Sequence, residues 1–480
     1  MKLCVFQCLF QSIGSTGKGK FEEKVPEKKC RFHAELSSPT TLSMRLLRKF
    51  SHIPIKCCLA IVSLPKILTK FILSRLLYFP VRMTIKIILP ALMARGFLYQ
   101  LSMKFLPISP LPVVNTDPAS EHIEDIEQEV KSVVHVSIIS HKQYMLTQIL
   151  RRKGIKATFV ALNTSSNDRL AIGYDYNVPM DLPLFRNFIK RLKIVWNVLA
   201  HHDVIHYHFN SFVMGSTGGE LEGLRKMGKV VVFHFRGCDV RSKSSNMALH
   251  PDLNVCQECD YPPGSCDTDF QRMKLEVVRQ YGDLFFATTP DLVPLFEGAQ
   301  HIPFILPYGI DFDSIEPAPK PDGVFRVVTS SNHPGLDGVA YIRSAVERLQ
   351  GEGFLIELIE VVQRPYREAL SIYRSADLFA GKLRMGYYNN ANIETMLMGV
   401  PNISYISPKF EHLVPDCPII NGRPDNIYEK IKYCLENPDD LRDRAKRGID
   451  FVKKHHDPDK IVDYMLASYN RIHRQKHNLN

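Results

Sequence analysis

Residues 132–162 read SVVHVSIISHKQYMLTQILRRKGIKATFVAL. The run SVVHVSII (132–139) is short, apolar and rich in β-branched residues, the pattern of a strand buried on both faces. YMLTQILRRK (144–153) then places apolar side chains at helical spacing, and Gly154 supplies a stop before a second apolar run at Ala157–Leu162. Strand, helix and strand in this order predict a βαβ unit and hence a parallel sheet.

The same alternation continues toward the C-terminus. DVIHYHF (203–209), KVVVFHF (229–235) and DLFFATTPDL (283–292) read as strands, and GELEGLRKMGK (219–229) reads as a helix ending near Gly228. IPFILPYGIDFDSIEPAPKPDG (302–323) holds five prolines and reads as a connector between domains. A second unit opens at FRVVTSS (325–331). Val339, Ile342, Val346 and Leu349 then form a helix stripe, and FLIELIEVV (354–362) is a strand. REALSIYRSA (367–376), DLFAGKL (377–383), ANIETMLMG (391–399) and VPNISYI (400–406) alternate helix and strand, and Asp425 to about Ile472 reads as helical. The expected fold class is therefore α/β: two Rossmann-like domains, at 117–320 and 321–450, with an interdomain cleft. Residues 451–480 are expected as a C-terminal helix crossing back to the first domain. Ligands in such folds bind at the C-terminal ends of the strands, at switch points in strand order.

Charge separates this body from what precedes it. The net charge is +11, yet residues 117–480 carry 43 basic and 46 acidic side chains. Residues 36–116 carry eleven basic side chains and no acidic one. A body without surplus positive charge argues against nucleic acid as a ligand. Eleven scattered cysteines in a long α/β chain point to a reduced, cytoplasmic setting. The triplets at Asn163 and Asn402 that match glycosylation sequons arise often by chance and carry little weight.

Residues 44–116 form a basic, apolar extension. CCLAIVSLP (57–65) is followed by Lys66 and IILPALMA (87–94) by Arg95, and Pro54, Pro65, Pro80 and Pro90 cut the stretch into pieces too short to span a bilayer. Three readings stay open: a peripheral segment on an anionic membrane surface, a transit peptide, or an irregular extension packed on the body. The first is favoured. Residues 1–43 are expected to be disordered, with Met44 as an alternative start.

At NANIETMLMGVPNISYI (390–406) the chain resembles retaining glycosyltransferases of family 4, also called group 1, which have the GT-B fold of two Rossmann-like domains. Their signature is a Glu opening a helix, a small-residue turn and Gly-x-Pro; here Glu394, Gly399, Val400 and Pro401 stand in those places. The likeness spans roughly 132–470 and extends to a bacterial-type subgroup whose donor loop reads roughly G-W-Y-G before the Glu. GYYNNANIE (386–394) is the counterpart here. DVIHYHF, HFRGCDVR (234–241), TTPDL (288–292) and LPYGID (306–311) agree in order.

The resemblance implies a nucleotide-diphosphate sugar as donor substrate, no required cofactor or catalytic metal, and an acceptor domain facing a donor domain. Glu394 would accept hydrogen bonds from ribose hydroxyls, and the start of its helix would face the diphosphate. Gly386, Tyr387, Asn390, Ala391 and Asn392 would form the loop around the sugar, with Gly386 allowing close backbone approach. His234, Arg236 and Asp239 would meet the donor sugar or the acceptor from the first domain, with Arg236 standing where the family usually has His. Ordinary strand-end packing is the rival reading for the histidines, including His206 and His208. Ser331, Asn332 and His333 would face the phosphates. Family members usually carry an Arg or Lys pair in that loop; here SSNHPGLDG (330–338) offers His333 and Asp337, and a carboxylate near a diphosphate needs neutralising. Lys382 and Arg384 stand on the neighbouring strand end to supply charge. Gly386 also replaces the first Glu of the family's E-x7-E spacing.

Other patterns are weaker. Cys256, Cys259 and Cys266, with Cys238 nearby, suggest a structural zinc or a loop of free thiols. Asp311-Phe312-Asp313 lies in the proline-rich connector. GSTGKGK (14–20) lacks phosphate-loop spacing, and GSTGG (215–219) lacks a dinucleotide fingerprint. The leading expectation is a retaining glycosyltransferase docked at a membrane carrying a lipid-linked acceptor. A catalytically silent binding or scaffold protein of the same fold, supported by Asp337, and a sugar phosphorylase are the alternatives.

Overall fold

A computed structural model of the chain describes residues 130–477, apart from 139–140, 165–172, 180–181, 210, 216 and 308. The segments 1–43 and 44–116, with Met44 and the GSTGKGK run, lie outside the described residues, as does the side chain of Asn163. Among the described residues no helix is long and apolar enough to cross a membrane.

The first sheet has seven parallel strands: β1 (Ser132–Ser137), β2 (Lys156–Thr164), β3 (Tyr176–Pro179), β4 (Val204–His208), β5 (Val230–Phe235), β6 (Leu284–Ala287) and β7 (Ala299–His301). Their spatial order is β3-β2-β1-β4-β5-β6-β7. Helices α1 (His141–Arg152), α2 (Leu184–Asn197), α3 (Leu221–Lys226), α4 (Lys243–Leu249) and α5 (Asp269–Tyr281) lie between them in sequence. All six residues of β1 and of β5 are buried, which is why these strands read as unbroken apolar runs. One face packs Ile205, Tyr207, Val231, Phe233 and Phe235 against residues of α3 and α5. The other packs Val133, Val204, Val232 and Phe286 against α1 and the last helix of the chain. Each such fully buried side chain stabilises the fold by roughly 1.5–3 kcal/mol relative to exposure.

The second sheet has five parallel strands in the order β12-β11-β10-β8-β9: β8 (Phe325–Ser330), β9 (Ile356–Val361), β10 (Leu378–Ala380), β11 (Asn402–Ser404) and β12 (Ile420–Asn421). Its helices are α6 (Pro334–Asp337), α7 (Val339–Gly351), α8 (Tyr366–Arg374), α9 (Asn390–Leu397), α10 (Ile427–Glu436) and α11 (Pro438–His455). Val339, Ile342, Val346 and Leu349 of α7 are all buried, as their spacing predicts. The sequon residue Asn402 is 2% exposed and donates from Nδ2 to the Val400 carbonyl at 2.8 Å, so it is no glycan acceptor in the folded chain.

Helix α12 (Pro458–His477) belongs to the first sheet. Ile461, Val462, Met465, Leu466 and Tyr469 pack on it, and Asn470 Oδ1 accepts a hydrogen bond from Val130 N at 2.9 Å. The switch points follow from strand order. In the first sheet successive strands run outward on opposite sides of the β1/β4 pair, and in the second β8 lies between β9 and β10. Loops leaving β1, β4, β8 and β10 are therefore the ones placed to hold a ligand.

Candidate functional site

Glu394 is the fifth residue of α9, not its opening residue: Asn389 is the N-cap, four residues earlier than the signature's reading implies. The cause is a capping box. Asn389 Oδ1 accepts from Asn392 N at 3.2 Å, and Asn392 Oδ1 accepts from Asn389 N at 3.0 Å. Asn392 is fully buried, and its Nδ2 donates to Asn402 Oδ1 and Ser404 Oγ of β11. Its side chain thus faces the sheet, and its contribution to the site is the start of the helix.

The Glu394 carboxylate is 5% exposed, yet it faces the first domain. Oε1 accepts from Tyr366 Oη at 2.9 Å and lies 3.7 Å from Lys142 Nζ, on the first turn of α1. Burial pushes the Glu394 carboxyl up, opposed by Lys142 and Tyr366. Burial likewise pulls the Lys142 ammonium down, against the attraction of Glu394. Lys142, His234 and Arg236 of the first domain and Asn390 of the second line one cavity. Several of its buried polar atoms have no hydrogen-bond partner among the described residues: Lys142 Nζ, both ring nitrogens of His234 and Asn390 Oδ1. Lys142 was not singled out by the sequence, because a lysine on the first turn of an amphipathic helix reads as solvated surface.

Below this cavity lies a histidine cluster. His135 pairs with His206 in strand register, and His208 with His234, so all four rings stand on one face of the sheet. Ring centroids of His206 and His208 are 4.3 Å apart. Arg236 Nη2 lies 3.2 Å from His208 Nδ1, His208 Nε2 lies 3.0 Å from His135 Nδ1, and His206 Nδ1 lies 2.6 Å from Tyr469 Oη. An arginine can only donate, so His208 Nδ1 is the acceptor and its Nε2 carries the proton toward His135. Burial drives the four rings to their neutral forms, His135 to about 3 and the others well below their usual value. His135, His206 and His208 are the one group of three ligand-type side chains with donor atoms within 4.8 Å among the described residues.

Asp239 closes the loop after β5. Its carboxylate accepts from the backbone N–H groups of Arg236 and Gly237, and burial raises its pKa. It therefore orients Arg236 through the backbone. Burial lowers the Arg236 guanidinium to about 10, partly offset by Asp239.

The loop 330–338 is occupied by protein contacts. Ser331 Oγ donates to Asp337 Oδ2 at 2.6 Å, and Lys382 Nζ donates to Asp337 Oδ1 at 2.6 Å. Lys382 thus neutralises Asp337, the charge that the family pattern lacks, instead of extending as an independent cation. Arg384 is 4% exposed and bonds Glu258 Oε1 and Gln257 Oε1 across the domain gap, both at 2.8 Å. The His333 ring stacks on Tyr261 with centroids 4.0 Å apart, and Gly335 N donates to Asp260 Oδ2 at 3.3 Å, while Asn332 is exposed. The cysteine-bearing segment of the first domain therefore lies over the expected phosphate loop.

Gly386 has φ 79°, and a Cβ there would sit 3.2 Å from Ser407 Cβ. It lines a second interdomain cavity with Asn254, Asp291 and Tyr405. Tyr387 is 2% exposed: its ring meets His301 of β7 edge-on, with centroids 5.7 Å apart, and packs in the apolar cluster of Ile393, Met396 and Phe451, where burial pushes its phenol up to about 12. Ala391 is half-buried and packs toward β10 and α8. Cys238, Cys256, Cys259 and Cys266 are free thiols, and they do not close into a group within metal-sharing distance. Burial raises the Cys256 thiol to about 11. Asp311 Oδ1 accepts from Asp313 N, so the D-x-D run closes a turn.

No protein-family model matches the chain. Curated proteins likewise give no significant sequence match. Among solved structures the chain is similar to sucrose-phosphate synthase (tll1590) from Thermosynechococcus elongatus, at 14% identity and TM-score 0.47 over 71% of this chain and 99% of that one. It is similar to Anabaena Alr3699/HepE, solved in complex with UDP-glucose, at 13% identity and TM-score 0.47 over 70% and 99%. It is also similar to a UDP-N-acetylglucosamine 2-epimerase, at 12% identity and TM-score 0.42 over 71% and 97%. These are likenesses of general chain course.

Proposed function

We propose that the chain is a retaining glycosyltransferase that moves a sugar from a nucleotide-diphosphate sugar to an acceptor hydroxyl at a membrane surface. The observation that carries the reading is the meeting of Glu394 and Lys142 across the domain gap, beside a cavity lined by His234, Arg236 and Asn390. In this reading 321–450 holds the donor and 117–320 the acceptor. Ribose hydroxyls donate to Glu394 in place of Tyr366, and the start of α9 faces the diphosphate. The bond from the sugar's anomeric carbon to the phosphate oxygen breaks while the acceptor oxygen bonds to the same face. The acceptor's proton passes to the departing diphosphate. Lys142 and Arg236 are fixed cations beside the developing negative charge, in a site where they need no reorganisation. The segment over loop 330–338 swings aside to admit the phosphates to Ser331, Asn332 and His333.

The experiment is a melting screen against UDP-, GDP- and ADP-sugars, followed by transfer and donor-hydrolysis assays with the nucleotides that raise the melting point. Glu394→Ala should abolish both the shift and the turnover while the protein stays folded, and NMR of the product anomer checks retention. A binding or scaffold protein of this fold is the second reading, favoured by the occupied loop around Asp337. It predicts no turnover with any donor and no effect of Glu394→Ala on partner binding.

A further inference from the structure

Helix α2 (Leu184–Asn197) has fourteen residues and buries one of them, Ile194. Packing of an apolar face is what normally holds such a helix in place, so the outward side chains call for a partner. Leu184 is 77% exposed, Phe185 62%, Leu192 44% and Trp196 70%. At about 100° per residue, Phe185, Leu192 and Trp196 fall within one narrow stripe, diametrically opposite Ile194. Arg186 and Lys193 sit side by side about a quarter-turn around the helix from that stripe, both exposed, and neither makes an ion pair among the described residues. The helix carries no acidic residue.

We infer that α2 is a membrane-docking face: Phe185, Leu192 and Trp196 enter the interface of an anionic bilayer, and Arg186 and Lys193 meet its headgroups. This rests on the membrane reading above and moves it onto a defined element of the folded body. Charge decides the occupant. Residues 36–116 hold eleven basic and no acidic side chains and would be repelled by the basic border, while 117–129 carry six acidic ones and are the rival occupant, for which the vesicle test expects no lipid-dependent change of Trp196 emission. A second copy would bring Arg186 and Lys193 against their like. An anionic lipid surface offers both the negative charge and the apolar depth that the stripe needs. The placement also suits a lipid-linked acceptor. In a parallel sheet a crossover helix runs antiparallel to the strands, so the Leu184–Phe185 end lies toward the strands' C-terminal ends. Arg191 Nη1 accordingly donates to the Val213 carbonyl, in the loop leaving β4.

Trp196 is the one tryptophan of the whole chain, so its fluorescence reports this helix alone. The full chain is mixed with vesicles of phosphatidylcholine and of phosphatidylcholine with phosphatidylglycerol, reading co-sedimentation and emission together. The inference expects co-sedimentation with the anionic vesicles, a blue shift of Trp196 and quenching by lipids brominated on the acyl chain. Arg186→Glu with Lys193→Glu should weaken binding roughly tenfold or more. Phe185→Ser with Leu192→Ser should remove the blue shift while leaving the melting temperature in place. Co-sedimentation with unchanged Trp196 emission overturns the role of α2 and leaves the membrane reading standing. No co-sedimentation overturns both, and the donor screen remains independent of either. A concentration-dependent blue shift without lipid assigns the face to a second copy and overturns the inference.

Discussion

Lys142 Nζ, on the first turn of α1, lies 3.7 Å from Glu394 Oε1, on the second turn of α9, so an ion pair joins the two domains at the point proposed to bind the nucleotide. Both groups are displaced from their ordinary pKa by burial, and each partly restores the other.

Lys142→Met should move the acid limb of donor binding to higher pH. Burial raises the Glu394 carboxyl, and Lys142 is the strongest influence opposing that rise. The ionised form, proposed to accept the ribose hydroxyls, is lost as pH falls through the folded pKa. Removing the lysine brings that loss on earlier. Nucleotide affinity measured against pH for both proteins checks it, and an unmoved limb would assign the titration to another group.

Lys382→Met should destabilise the second domain by about 2 kcal/mol. It leaves Asp337 buried with only Ser331, and the cost is below the 3–5 kcal/mol of a fully buried pair because Lys382 keeps some solvent. Adding Asp337→Asn should recover most of the loss. Chemical denaturation of the two single variants and the double variant reads the coupling; strict additivity would mean the pair contributes nothing.

Stability should fall as pH drops below about 6.5. His135, His206, His208 and His234 are neutral when folded, with His135 titrating at about 3. The unfolded chain takes up protons from about pH 6.5 downward, so His135 contributes a slope of about 1.4 kcal/mol per pH unit between there and about 3, and the other three add to it in the same direction. The stability is fully present above that window and is lost through it. His135→Gln should flatten the dependence of melting temperature between pH 7 and 5, and parallel curves would refute the assignment.

Gly381→Ala should unseat the start of α9. A Cβ at Gly381 would lie 2.6 Å from Asn392 Nδ2 and closer still to Ser404 Oγ, groups already bonded to each other. The capping box and the site it presents should loosen together, seen as a loss of nucleotide-induced melting shift larger than the loss of basal stability. Unchanged nucleotide binding would show that the box is not needed to place Glu394.

The two sheets were legible because their central strands are buried on both faces and write themselves as apolar runs, as in VVVFHF of β5. The edge strands β3 and β7 were not, because YNVP and AQH are short and only partly buried. The cleft residues His234, Arg236, Asn390 and Glu394 were found through motif order, and the structure brings them to one gap. What spacing could not give was direction. Tyr387 and Asn392 lie in the donor motif yet are buried, because an aromatic cluster and a buried asparagine network claim them. Lys142 was missed for the opposite reason: nothing local marks it, and only the docking of α9 beside α1 gives it a carboxylate. The cysteine spacing left a structural zinc or free thiols open; the thiols form no group within metal-sharing distance among the described residues, and Arg384, Gln257 and Glu258 hold their segment against the second domain.

Helix α12 completes the first sheet after the whole second domain has intervened, with Tyr469 reaching His206 and Asn470 reaching Val130. During synthesis the first domain therefore waits, its α12-facing surface uncovered, until the ribosome has made the second. The order of folding is set by the chain's own route: the half proposed to hold the donor has its chain complete before α12 is made, and the half proposed to hold the acceptor is sealed last.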